Sequence, residues 1–153
     1  DKQAHCRSLG AEITMDSTGE GAADVLYEAT MQATNGAGVS VAFDPVGGPL
    51  GNVARRLMGF EGRLVVIGFT SGSIPSYPAN HVLVKNYTVH GMAWAEYAAR
   101  SRPVIEAAHD DILRLYRQGL IRTDVDAIAI DALPAALAAL EARTVTGRLA
   151  LVP

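Results

Sequence analysis

Apolar residues recur with a helical period in several segments of the chain. The pattern is clearest over residues 103–118, which begin with Pro103 and place Ile105 and Leu115 on one apolar stripe. Asn52 begins another such segment and is expected to cap its helix, because an asparagine side chain accepts bonds from free N-terminal amides. The pattern predicts helices over residues 1–9, 22–33, 52–59, 103–118 and 133–142.

Short apolar runs between these helices predict strands. Residues 64–67 form a continuous apolar run bounded by Gly62 and Gly68, which is typical of a strand buried on both faces of a parallel sheet. Residues 70–80 form a long polar loop, of a length that is often functional. Strands are predicted over residues 12–16, 39–44, 64–67, 87–94, 127–130 and 148–152. The alternation of strands and helices predicts an α/β fold, with a parallel sheet and crossover helices on both faces.

The composition is that of a folded domain with an apolar core. Of the 153 residues, 49 % are hydrophobic and 19 % are charged, which argues against disorder. A net charge of −3 without a basic cluster argues against nucleic acid as a partner. No apolar run reaches the roughly 20 residues that span a bilayer, and the first residues do not form a signal peptide. We therefore expect a soluble, cytoplasmic protein with no membrane partner.

The sequence contains no convincing motif for a metal site, a reactive thiol or a phosphate-binding loop. The single cysteine, Cys6, cannot form an internal disulfide or a thiolate zinc site, and the 4 histidines lack metal-ligand spacing. Gly19 and Gly21 follow a predicted strand, but the third glycine of a dinucleotide fingerprint is missing. Glu20 and Asp24 would also repel a pyrophosphate there. We expect no metal and identify no catalytic acid, base or nucleophile.

Two glycine-rich stretches lie at the ends of predicted strands, over residues 43–48 and 66–72. Ligands of open parallel sheets bind at the carboxyl ends of the strands, and glycine lets a ligand approach the backbone closely. Tight strand-to-helix turns require glycine equally often, so this pattern alone leaves both interpretations open.

A series of short segments occurs in a recognisable order along the chain. The segments are 2–11 (KQAHCRSLGA), 43–48 (FDPVGG), 62–72 (GRLVVIGFTSG), 75–80 (PSYPAN), 84–86 (VKN) and 143–149 (RTVTGRL). Together they resemble the zinc-independent quinone oxidoreductases of the medium-chain dehydrogenase/reductase superfamily, over essentially the whole chain. The resemblance implies a partial Rossmann-like, doubly wound parallel sheet with helices on both faces.

The resemblance also implies a domain organisation. Such enzymes are longer and begin with a GroES-like catalytic domain. Residues 1–122 would be the nucleotide-binding domain without its first strands and phosphate loop, and residues 123–153 a return segment to the catalytic domain. The chain would then be a C-terminal fragment, and a poor enzyme by itself.

The same resemblance implies NADPH as the cofactor. Lys2 and Arg143 match cations that meet the 2′-phosphate, although both could equally be ordinary surface cations. The expected walls around the nicotinamide and its ribose are Val46, Gly47, Ile67, Gly68, Phe69, Thr70, Met92, Ala93 and Trp94. The segment 16–23 is longer than is usual in the family, and Met15 stands where a polar or aromatic residue often ends the strand.

The implied activity is NADPH-dependent hydride transfer to a quinone or an enone, a small-molecule acceptor. Relatives pair the edge strand that corresponds to residues 87–94 across a two-fold axis, which implies a homodimer. A non-catalytic dimerisation or scaffold domain derived from the same family is the alternative. Another doubly wound binding domain, such as a methyltransferase, is disfavoured by the series of family-like segments.

Overall fold

The computed structural model describes residues 2–152 and is built of short helices and parallel strands. Its elements are α1 (Lys2–Ser8), α2 (Ala22–Ala33), β1 (Val39–Asp44), α3 (Gly48–Leu57), β2 (Met58–Val66), α4 (Ala79–Lys85), β3 (Thr88–Gly91), α5 (Trp94–Arg100), α6 (Arg102–Arg117), β4 (Val125–Ala129), a 3-10 turn (Ile130–Ala132), α7 (Leu133–Glu141) and β5 (Arg148–Val152). Within the described residues, none of the helices is both long enough and apolar enough to cross a membrane.

The chain divides into two compact units. The first, which we call the three-stranded unit, comprises Met15–Ser101. The second, the two-stranded unit, comprises Asp1–Thr14 and Arg102–Pro153. All strand pairs in both sheets are parallel, which confirms the predicted α/β class.

The three-stranded unit carries a sheet in the order β1-β2-β3. Phe43 of β1 lies opposite Val65 of β2, which lies opposite His90 of β3. Met58 and Leu64 are fully buried and pack with Tyr87 in the core. Because β2 lies between the two other strands, it supplies most of this core.

The two-stranded unit pairs β4 with β5, and Val125 lies opposite Arg148. Here α1 contacts the segment before β4 through polar groups. The His5 Nε2 atom lies 3.4 Å from a carboxylate oxygen of Asp124. The Arg122 guanidinium donates a hydrogen bond of 3.1 Å to the Ser8 carbonyl. These bonds connect α1 to residues that are far from it in sequence.

Several predicted elements agree with the structure, and α2, β1 and β5 have the predicted bounds. The helix predicted from Asn52 is wrong at its start, because α3 begins at Gly48 with a proline in its first turn. The Asn52 side chain lies inside this helix and accepts a 3.2 Å bond from the Ser76 amide.

Two strand predictions are also wrong. Residues 12–16 do not form a strand, because no described strand lies beside them to complete a ladder. The strand predicted over 87–94 ends at Gly91, and Trp94 begins α5. The sequence did not predict α4 or α5, which have 7 residues each. Conversely, β2 is longer than predicted, because it begins at Met58 rather than at residue 64.

Candidate functional site

The carboxyl ends of β1, β2 and β3 lie together at one edge of the three-stranded sheet. The Ile67 amide donates to the Asp44 carbonyl at 3.0 Å, and the Thr70 amide donates to the Pro45 carbonyl at 3.1 Å. The Met92 amide donates to the Val66 carbonyl at 2.9 Å. Backbone bonds therefore join the three segments that contain all nine residues predicted for the nicotinamide side: Val46, Gly47, Ile67, Gly68, Phe69, Thr70, Met92, Ala93 and Trp94.

The Asp44 carboxylate supports the first of these segments. Its Oδ1 atom accepts bonds from the Val46 amide at 2.9 Å and from the Gly47 amide at 2.8 Å. The side chain is buried, with 6 % of the residue exposed. A carboxylate that accepts two backbone N–H bonds in a buried position restrains the turn strongly. Asp44 thus holds two of the predicted wall residues without being one of them.

Gly47 lets this turn pack closely against the loop that follows β2. Its φ of 69° and ψ of −152° belong to a region that only glycine adopts without strain. A Cβ atom built there would lie 2.8 Å from the Ser73 carbonyl oxygen and 2.9 Å from the Phe69 ring. The next residue, Gly48, donates its amide to the same Ser73 carbonyl at 2.8 Å. The backbone conformation of the turn and the close approach of the following loop therefore both require glycine at position 47.

A group of buried and half-buried polar side chains follows the loop after β2, and one of them, Tyr77, is close enough to Asp44 to respond to its charge. Burial raises the pKa of the Tyr77 hydroxyl, and the negative charge of Asp44 raises it further. Burial also raises the pKa of Tyr87, against an opposite effect of Arg55. The pKa of His81 is lowered by burial and then by nearby cations, and its Nδ1 atom lies 3.3 Å from the Tyr87 hydroxyl. The tyrosines therefore stay protonated near neutral pH.

Apolar and aromatic side chains remain accessible at the carboxyl edge. Phe69 is 42 % exposed, Met92 39 % and Trp94 48 %. Flat or polarizable side chains at the ends of parallel strands suit contact with an aromatic ring such as nicotinamide. The residues present therefore fit the cofactor that the sequence predicts, through backbone groups and apolar contact rather than through charge.

A second group of predicted residues lies in the two-stranded unit. Lys2 and Arg143 line one cavity of about 360 Å³, to which α1, the end of α7 and the start of β5 contribute. Arg143 has a left-handed φ of 56°, which is rare for a residue other than glycine. The structure thus brings the two predicted phosphate-binding cations together, although they are 141 positions apart in the sequence.

Sequence reasoning overlooked two residues near these groups. Asp44 lies in the segment 43–48, whose glycines drew the interpretation, although an aspartate just before a turn commonly accepts bonds from the amides two and three residues further on. Arg148 lines the same cavity as Lys2 and Arg143, but nothing in its spacing marked it out. Among the described residues, no group of three or more His, Cys, Asp or Glu side chains could hold a metal ion.

Replacing Asp44 with alanine is expected to lower the free energy of unfolding by about 1.5–3 kcal/mol, because two buried amides lose a charged acceptor. Asp44→Asn keeps an oxygen acceptor at this position, so its free energy of unfolding should fall clearly less. Urea unfolding of both variants measures the difference. Equal losses in the two variants would mean that the amide bonds do not account for the stability.

Comparison with known proteins supports one family. The sequence model of the zinc-binding dehydrogenase family matches residues 1–112. Quinone oxidoreductase-like protein 2 of Bos taurus is 36 % identical over 100 residues, which cover 65 % of this chain and 29 % of the bovine protein. The matched segment is therefore less than a third of that relative.

Solved structures show the same fold. A quinone oxidoreductase of Pseudomonas syringae pv. Tomato superposes with a TM-score of 0.80 at 22 % identity, covering 99 % of this chain and 46 % of that one. A mycobacterial protein solved in complex with NADPH gives a TM-score of 0.78 at 21 % identity, with coverage of 99 % and 47 %. The resemblance inferred from the sequence is confirmed: the chain belongs to the zinc-binding dehydrogenase family, as a quinone oxidoreductase-like member of the medium-chain dehydrogenase/reductase superfamily.

Proposed function

We propose that the chain forms part of an NADPH-dependent oxidoreductase that transfers a hydride to a quinone or an enone. The observation that carries this proposal is that backbone bonds join the three segments containing the predicted nicotinamide-side residues at one edge of a parallel sheet. Membership of a dehydrogenase family supports it, as does the NADPH complex of a structural neighbour. The chain spans less than half of these neighbours, so the rest of the catalytic unit is also part of the proposal.

In this proposal the cofactor supplies the hydride, and the chain supplies its position. Val46 and Gly47 would lie beside the ribose, and the loop 67–70 would lie against the nicotinamide. Phe69 and Trp94 would exclude water from the reacting ring by apolar contact. Holding the donor ring close to an electron-poor acceptor accounts for catalysis without an acid or base from this chain. A cytoplasmic location is proposed with it.

Lys2 and Arg143 should confer a preference for NADPH over NADH. Each is an exposed cation in one cavity, and a charge-assisted contact to the 2′-phosphate contributes about 1.5–3 kcal/mol. Lys2→Ala and Arg143→Ala are therefore each expected to weaken NADPH binding by the factor that corresponds to this free energy. NADH binding should stay unchanged. Fluorescence titration of the purified protein with both cofactors measures this.

The matched control for these variants is Arg102→Ala. Arg102 is exposed and is paired with Glu106 on α6, so it tests the general effect of removing a cation. If NADPH and NADH affinities fall together, or neither falls in the Lys2 and Arg143 variants, the two side chains are ordinary surface cations.

We also propose that the protein is a homodimer through the edge strand predicted over residues 87–94. The residues of β3 are exposed, and β2 is its only neighbour among the described strands. Val89→Pro removes a backbone donor, and Val89→Lys places a charge on the edge. Both variants are expected to convert dimer to monomer in size-exclusion chromatography with light scattering.

A control variant distinguishes this interface from general surface effects. Val84 on α4 is 83 % exposed, so Val84→Lys adds the same charge away from β3. A Val89→Lys protein that stays folded and dimeric would place the interface elsewhere. A monomeric wild-type protein would contradict both the dimer and the scaffold alternative, whose role depends on association.

A further inference from the structure

A cationic cavity in the two-stranded unit contains one residue that the proposed function does not yet use. Lys2, Arg143 and Arg148 line a space of about 360 Å³, together with the smaller residues of the turn between α7 and β5. None of the described lining residues is acidic. The chain as a whole has 16 acidic and 13 basic side chains, so this local excess of positive charge departs from the average.

Arg148 occupies a restrained position in this cavity. It is the first residue of β5, and its amide donates a 2.8 Å bond to the Asp124 carbonyl. Gly147 precedes it with a φ of 87°, and a Cβ atom there would lie 2.7 Å from the same carbonyl oxygen. Close approach at a glycine therefore allows the register that pairs Arg148 with Val125. A residue on a restrained backbone positions its charge better than one on a free loop.

Asp124, whose carbonyl accepts the Arg148 amide, has its carboxylate close to another cation-forming group. The Asp124 carboxylate lies 3.4 Å from the His5 ring. Asp124 does not line the cavity that Lys2 and Arg143 line, but it lines a neighbouring one together with Arg148. Among the described side chains, no acidic group forms an ion pair with Lys2, Arg143 or Arg148. Three cations, from α1, the turn after α7 and the start of β5, thus line one space without an acidic partner among the residues that the structure describes. Such an arrangement suits a phosphate monoester, whose oxygens accept bonds from several donors at once.

We propose that Arg148 is a further specificity-determining residue, which binds the 2′-phosphate of the nucleotide cofactor together with Lys2 and Arg143. This inference rests on the proposed function. Arg148 adds a planar guanidinium whose fixed fork of donors matches two phosphate oxygens, a geometry that lysine lacks. Removing its charge should therefore weaken the binding of nucleotides that carry a 2′-phosphate and leave the binding of other nucleotides unchanged.

The test uses adenosine 2′,5′-bisphosphate and adenosine 5′-monophosphate as probes, titrated calorimetrically into the purified protein. Arg148→Gln is expected to weaken binding of the bisphosphate about tenfold or more and binding of the monophosphate less than about twofold. Arg148→Lys should restore part of the loss, because it keeps the charge without the fork. Arg117→Gln, an exposed cation at the end of α6 outside the cavity, is the matched control and should change neither affinity.

The outcomes separate this inference from the proposed function. If Lys2→Ala and Arg143→Ala weaken binding of the bisphosphate but Arg148→Gln does not, the role of Arg148 is overturned and the NADPH assignment stands. If Arg148→Gln weakens both probes equally, the residue is not specific for the 2′-phosphate and the inference fails. If the wild-type protein does not prefer the bisphosphate, both the inference and the NADPH assignment fail.

Discussion

Replacing Gly47 with alanine is expected to lower the free energy of unfolding by about 2–4 kcal/mol. Two costs add up. The backbone conformation, with φ of 69° and ψ of −152°, is strained for any residue with a Cβ atom. That atom would also lie 2.8 Å from the Ser73 carbonyl oxygen, which belongs to the backbone and cannot rotate away. Urea unfolding followed by circular dichroism measures the change.

Gly72→Ala is a matched control for the Gly47 variant. Gly72 also has a positive φ, of 77°, but a Cβ atom there would meet nothing within 4 Å. It should therefore incur only the conformational cost, about 1 kcal/mol. The difference between the two variants measures the close packing between the turn after β1 and the loop after β2. Similar losses at both positions would show that the two segments are not in tight contact.

Replacing Leu64 with alanine is expected to lower the free energy of unfolding by about 2–5 kcal/mol. Leu64 is fully buried near the carboxyl end of β2, where it packs with Met58 and Tyr87. The substitution removes buried apolar groups and leaves a cavity that the neighbouring strands cannot fill by collapse. The carboxyl end of β2 follows directly, so the same variant should weaken NADPH binding if the sheet edge holds the nicotinamide.

Leu83→Ala is the control for this core substitution. Leu83 lies on α4 and is 79 % exposed, so its truncation removes little buried surface. The loss should stay within about 0.5 kcal/mol. If the Leu64 and Leu83 variants unfolded at the same urea concentration, β2 would not be the centre of the core.

The elements that the sequence predicted correctly are those whose signal is local. The bounds of α2, β1 and β5 agree with the structure because their periodicity and their flanking glycines or polar residues lie within the segment itself. The two glycine-rich stretches also lie at the ends of strands, as the sequence predicts, and backbone bonds join them at one edge of the sheet. Their binding of a cofactor stays a prediction.

Elements that depend on distant partners were predicted less well. Residues 12–16 alternate like a strand, but a strand also needs a neighbour for its amides, and no described strand lies beside them. Conversely, β2 extends back to Met58 because Val39 of β1 lies opposite it, a pairing that no local pattern around Met58 reveals. The roles of Asp44 and Arg148 were overlooked for the same reason.

The sequence by itself determined the α/β class and the family, and it located the glycine-rich ends of two strands. These properties depend on hydrophobic period and on short motifs, which are contained in neighbouring residues. Only the tertiary structure decided that the Asp44 carboxylate holds the Val46 and Gly47 amides, and that Arg148 shares a cavity with Lys2. Burial, hydrogen-bond partners and shared cavities depend on which segments the folded chain brings together, and a linear pattern does not contain that information.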